Sequence, residues 1–62
     1  MSNYVQVFTY IDSRKKTKHM AIYNDSRDEA LREFNINKEP EDKLCSERTL
    51  TVDAYKEWRK SL

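Results

Sequence analysis

YVQVFTYIDSRKKTKHMAIYN, residues 4–24, is the stretch that decides the fold. Over Tyr4–Asp12, Val5, Val7, Thr9 and Ile11 alternate with Tyr4, Gln6, Phe8 and Tyr10. Successive strand side chains point to opposite faces, and β-branched and aromatic residues suit that geometry, so the run predicts a strand. Asp12–Thr17 is polar and charged and reads as a turn. Lys18–Asn24 reads as a second strand, with Met20 and Ile22 on one face and His19, Ala21 and Tyr23 on the other. Two such runs joined by a short polar segment predict an antiparallel hairpin.

Downstream, Ser26-Arg27-Asp28-Glu29 has the form of a capping box. In that motif the serine hydroxyl accepts from the amide three residues on, and the glutamate reaches back to the serine amide. The helix it opens should run to about Asn35, burying Ala30, Leu31 and Phe34 as one stripe. Asp28 and Arg32 fall one turn apart on its wet side. Asn37–Lys43 holds Pro40 among charges and predicts an exposed loop. Lys43–Leu50 alternates well enough for a third strand and also fits an irregular segment. Thr51 can cap a second helix over Val52–Ser61, with Asp53 in its first turn and Lys56, Arg59 and Lys60 in its last. Val52, Tyr55 and Trp58, or the stem of Arg59, line its apolar face. The expected architecture is α+β, in the order β-β-α-(β)-α.

Sixty-two residues fit one domain, 1–62. A chain of that size buries only about 60% of its unfolded surface, so its stability is marginal. With Cys45 as the single cysteine, no disulfide can reinforce it. A secreted domain this small would normally be stapled, which points to a reducing, cytoplasmic setting. A free cysteine is most often a small buried hydrophobe, and Cys45 is expected to be one. Neither a membrane span nor a signal peptide is expected, since the apolar segment Tyr4–Ile11 is short and interrupted.

The chain contains no glycine. Phosphate loops, dinucleotide fingerprints, nucleophile elbows and calcium loops all need glycine where backbone turns sharply or approaches a ligand. One histidine and one cysteine cannot fill a structural zinc site of those ligands. No spacing gives His19 a nucleophile partner, and Asp28 and Glu29 are accounted for by helix capping. No enzyme, cofactor or metal site is expected.

The net charge is +1, but it is unevenly spread. Residues 1–20 carry Arg14, Lys15, Lys16 and Lys18 against Asp12 alone; residues 21–42 are acidic, and residues 43–62 mildly basic. If both helices cover the aliphatic side of the hairpin (Val5, Val7, Ile11, Met20, Ile22), then Tyr4, Phe8, Tyr10 and Tyr23 lie together in water. Exposed aromatic patches of that size mark interfaces. If one helix packs on each face, the same rings form a second core layer. Arg14, Lys15, Lys16 and Lys18 could meet phosphates, and beside Tyr10 and Tyr23 they would form a stacking-plus-charge surface for nucleic acid.

Ile22-Tyr23-Asn24-Asp25-Ser26-Arg27-Asp28-Glu29-Ala30-Leu31 resembles the strand-to-helix junction of the small RNA polymerase inhibitors of T-odd bacteriophages. The resemblance covers residues 5–34 and implies a β-β-α-β order and stoichiometric blockade of a host enzyme by a charged surface. Those inhibitors present arginines on the third strand, where Arg48 is the counterpart, and they lack a C-terminal helix. The hairpin followed by Ser26-x-x-Glu29-Ala30 is also similar to the arm-type DNA-binding domains of phage integrases, which place all three strands before the helix.

Together these readings lead to an expectation of a phage-type inhibitor or adaptor. It would bind a host protein through Phe8, Tyr10, Tyr23, Arg14 and Lys16. The alternative is a nucleic-acid-binding regulator working through Arg14, Lys15, Lys16 and Lys18. A homodimer formed through the open sheet face would enlarge the small core.

Overall fold

The hairpin forms as expected, and its first strand becomes the centre of the sheet. In the computed structural model, which describes residues 2–62, β1 (Tyr4–Ile11) pairs antiparallel with β2 (Thr17–Tyr23). On its other side β1 pairs antiparallel with β3 (Lys43–Thr51), giving the order β2-β1-β3. Helices α1 (Arg27–Asn37) and α2 (Val52–Lys60) complete an α+β fold in the order β-β-α-β-α. The segment left open between strand and irregular chain is therefore a strand.

A three-residue loop, Ser13-Arg14-Lys15, closes the hairpin. The Asp12 amide donates to the Lys16 carbonyl at 3.0 Å, and the Lys15 amide donates to the Asp12 carbonyl at 2.9 Å. This is a type I turn followed by a left-handed residue, the usual three-residue hairpin solution. Glycine normally takes that last position; here Lys15 holds it at φ 62°. The Asp12 carboxylate secures the loop from inside, accepting from the Arg14 and Lys16 amides, each at 2.9 Å.

Loop length sets which side chains share a face. An odd loop pairs even residues with even ones: Phe8 faces Met20, Gln6 faces Ile22 and Tyr10 faces Lys18. Val5 and Val7 lie across from Tyr23 and Ala21. The expected aliphatic side (Val5, Val7, Ile11, Met20, Ile22) is therefore divided, and the aromatic side with it. One added or deleted loop residue would have moved Met20 and Ile22 to the side of the valines.

Each face then receives one helix. On one side Phe8, Ile22, Ala30 and Phe34 are buried, with Tyr10, Met20 and Leu31 packed around them. Phe8 and Phe34 stack at 4.9 Å between ring centres, and Tyr10 meets Phe34 edge-on at 5.5 Å. On the other side Val5, Val7 and Tyr55 are buried, flanked by Ala21, Leu50, Val52 and Trp58. Trp58 meets His19 edge-on at 5.0 Å, so α2 reaches across β1 to β2. The open aromatic face is overturned: the second-layer arrangement is the one the chain adopts.

Gln6 is buried among these apolar groups with its hydrogen bonds made. Its amide nitrogen donates to the Asn24 carbonyl at 3.1 Å, and its oxygen accepts from the Thr49 hydroxyl at 2.7 Å. One side chain thus fastens the β2–α1 junction to β3, and a buried polar group satisfied in this way avoids a desolvation cost of about 1–3 kcal/mol.

The helix starts follow the sequence with one change. Ser26 Oγ accepts from the Glu29 amide, and Thr51 Oγ1 accepts from the Ala54 amide. The reciprocal half of the capping box is replaced: the Ser26 amide donates to Asn24 Oδ1 at 2.8 Å, and Glu29 accepts instead from the Asn24 side-chain amide. Asn24 thus couples the end of β2 to the first turn of α1.

Two stability measurements test this arrangement. Replacing Phe8 and Tyr10 together by Ser should unfold the domain. Truncating one buried Phe costs about 3–5 kcal/mol, against a total of roughly 3–9 kcal/mol expected for a chain of this size; a circular-dichroism melt will show it. Lys15→Gly should stabilise the fold by about 1 kcal/mol by relieving the left-handed lysine. That gain would raise the melting temperature by roughly 4–8 °C.

Candidate functional site

The residues expected to bind a partner are dispersed by this packing. Phe8 is fully buried and cannot touch another molecule. Tyr10 is half-buried against Phe34. Tyr23 is 54% exposed, but it lies on the α2 side, edge-on to Tyr55 at 5.8 Å. It also sits six residues from the turn end of β2, roughly 20 Å along an extended strand. The stacking-plus-charge surface expected of Tyr10, Tyr23 and the turn is therefore not assembled.

Arg14, Lys15, Lys16 and Lys18 do stand together, exposed at the hairpin tip. Lys18 pairs with Asp12 at 3.3 Å. The backbone amide of Lys16 holds the Asp12 carboxyl below its ordinary range; desolvation opposes this, and Lys18 and the Arg14 amide reinforce it. Among the described residues, Arg14, Lys15 and Lys16 make no ion pair. A groove beside the tip is lined by Tyr10, Arg14, Lys16, Lys18 and, across from them, Lys38 and Asp42.

A second surface was not foreseen. Every residue of β3 from Lys43 to Thr49 is exposed, and of this strand only Leu50 packs into the layer under α2. The Val52 amide donates to the Asn3 carbonyl at 3.3 Å. By alternation along an antiparallel ladder, the amides of Leu50, Arg48 and Ser46 then also point inwards. Those of Glu47 and Thr49 point away from the sheet, into solvent. The sequence carried the signal for this edge in the polarity of Ser46-Glu47-Arg48-Thr49 on both faces of the strand, since a central strand would have been apolar.

Cys45 is exposed, which corrects the buried thiol expected from the sequence. The pairing of β1 with β3 shifts between Thr9 and Tyr10, where β3 has one residue more than its partner. Cys45 is that extra residue, and its thiol donates to the Lys43 carbonyl at 3.7 Å. Above the bulge, Arg27 of α1 holds Glu47 through Nε at 2.8 Å and through a second, terminal nitrogen. Glu47 keeps the guanidinium proton more tightly bound than usual, with Asp28 adding a smaller effect.

No helix among the described residues is long and apolar enough to cross a membrane. Comparison with protein-family models, curated proteins and solved structures finds no match.

Asp12 titrates lower in the folded chain than in the unfolded one. Its contribution is therefore complete above the ordinary carboxylate range and is lost as pH falls through the lowered folded value. Asp12→Asn should flatten that part of the acid limb. Thermal midpoints measured from neutral pH down to the acid range, wild type against variant, will show the difference.

Proposed function

We propose that this domain is a non-enzymatic inhibitor or adaptor of phage type that binds a host protein of the transcription or defence machinery. In this reading it seats an extended segment of that protein along β3. The observation that carries it is the bare third strand: seven consecutive exposed residues, open on both faces, with the Glu47 and Thr49 amides unpaired by the sheet. Addition of a strand to such an edge draws affinity from main-chain hydrogen bonds and specificity from alternate side chains. One face of the edge offers Leu44, Glu47 and Thr49, and the other offers Ser46 and Arg48. The class of function is the one expected from the sequence; the surface is different, since the rings first assigned to it are core.

Charge favours a foreign segment over a second copy of the chain. In an antiparallel self-pairing of β3, the register of fullest overlap centres on Glu47 and sets it against its own copy. Shifting the centre one residue towards the C-terminus sets Arg48 against Arg48, and shifting it the other way sets Glu47 against the bulged Cys45, where the regular ladder is interrupted. Like charges directly opposed across strands are destabilising. An incoming strand with a basic residue opposite Glu47 and an acidic one opposite Arg48 avoids both conflicts.

Glu47→Pro removes an outward amide without breaking the ladder to β1, and proline is tolerated at such edge positions. It also removes the ion pair with Arg27, so Glu47→Ala, which loses the pair and keeps the amide, is the control and should still capture the partner. The proline variant should keep its circular-dichroism spectrum while losing the partner that wild-type protein captures from bacterial lysate. In the wild-type complex, hydrogen exchange at Glu47 and Thr49 should slow. A captured partner that leaves both amides exchanging freely, or that binds the proline variant equally well, would refute the edge assignment. So would a dimer in sedimentation that Glu47→Pro abolishes.

A further inference from the structure

We infer that the hairpin tip is a separate anion-binding surface that fits the phosphate backbone of duplex DNA. Arg14, Lys15 and Lys16 are consecutive, exposed and free of carboxylate partners among the described residues. The one acid at the base of the loop is already engaged: Asp12 takes two backbone amides and Lys18. The acids nearest the tip are Glu39 and Asp42 across one groove and Glu41 across the other, and none pairs with it. The Asp42 carboxylate is turned towards the Glu39 amide at 2.9 Å, while Lys38 Nζ lies at 3.4 Å from the carbonyls of both residues. Three cations are thus left without ion-pair partners at an exposed turn.

The backbone of the tip points the same way. A lysine at a left-handed position is strained, and glycine or asparagine would close the same loop at less cost. What lysine adds there is a third charge between Arg14 and Lys16. Asp12 holds the loop through main-chain amides, so the three side chains take no part in the fold and are free to reach outwards.

Duplex is favoured over single strand by what is missing beside the cations. Binding of single strands relies on aromatic rings that stack on bases. Tyr10 is committed to Phe34, and Tyr23 lies at the far end of β2. With charge and no stacking platform, the tip suits a dense array of phosphates, which a duplex supplies on two strands.

The test is fluorescence anisotropy with a labelled mixed-sequence DNA duplex, the matching single strand, a duplex RNA and poly-glutamate as separate arms. Three phosphates neutralised predict a log–log salt slope of about −2.7, and so a loss of roughly 40-fold in affinity between about 50 and about 200 mM salt. The triple variant Arg14→Ser, Lys15→Asn, Lys16→Ser keeps every main-chain hydrogen bond of the loop and suits the left-handed position. It should fold, as checked by circular dichroism, and lose both the binding and the salt slope. Failure of wild type to bind duplex DNA at low salt would overturn the inference, as would a folded variant that binds equally well. Tighter binding of the single strand or of duplex RNA, or equal affinity for poly-glutamate, would overturn the assignment to duplex DNA. Glu47→Pro should leave duplex binding unchanged, which separates this surface from the edge of β3.

Discussion

The hydrogen bond from the Asp12 amide to the Lys16 carbonyl closes a loop with an odd number of residues, and the arrangement of the domain follows from that parity. It puts Phe8 and Tyr10 on the same side as Met20 and Ile22, and leaves Val5 and Val7 with Ala21 and Tyr23. Neither side is then polar enough to face water. A sheet with two apolar faces needs a cover on each, and a chain with two amphipathic helices can supply one apiece. The left-handed Lys15 is the local cost of that closure in a chain without glycine.

Dividing the core into two thin layers has consequences for a domain of this size. Each layer is anchored by a few large side chains, Phe8 and Phe34 on one face and Tyr55 with two valines on the other. Neither helix covers the third strand from Lys43 to Thr49, and the strand is held by its ladder to β1, by Leu50, by the Gln6–Thr49 hydrogen bond and by the Arg27–Glu47 pair. Among the three strands β3 is therefore the least enclosed. Unprotected edges invite pairing with other chains, and proteins usually blunt them with charge or a bulge. β3 has both: Lys43, Glu47 and Arg48, and the extra residue at Cys45. Such devices discourage indiscriminate pairing and leave room for a segment whose charges match.

The two candidate surfaces differ in how far they could be read in advance. The basic tip was legible because consecutive cations between two strands must lie in a turn, and turns are exposed whatever the packing. The aromatic surface was misread because alternation along one strand shows which residues share a side and nothing about what covers that side. Phe8, the strongest of the expected contacts, is instead a central core residue. Cys45 shows the same limit: a statistical preference for burial was overruled by a bulge in an edge strand.

The hairpin, the two helices, their order and their capping hydroxyls were determined by the sequence alone, whereas the strand character of Lys43–Thr51 was not. The former depend on local periodicity and on side chains such as Ser26 and Thr51 that bond to amides a few residues away. Which strand lies in the middle, which face each helix covers and which edge stays open were decided only by tertiary structure. These depend on pairing register and on contacts between residues far apart in the chain, such as Gln6 with Thr49, which no local pattern encodes.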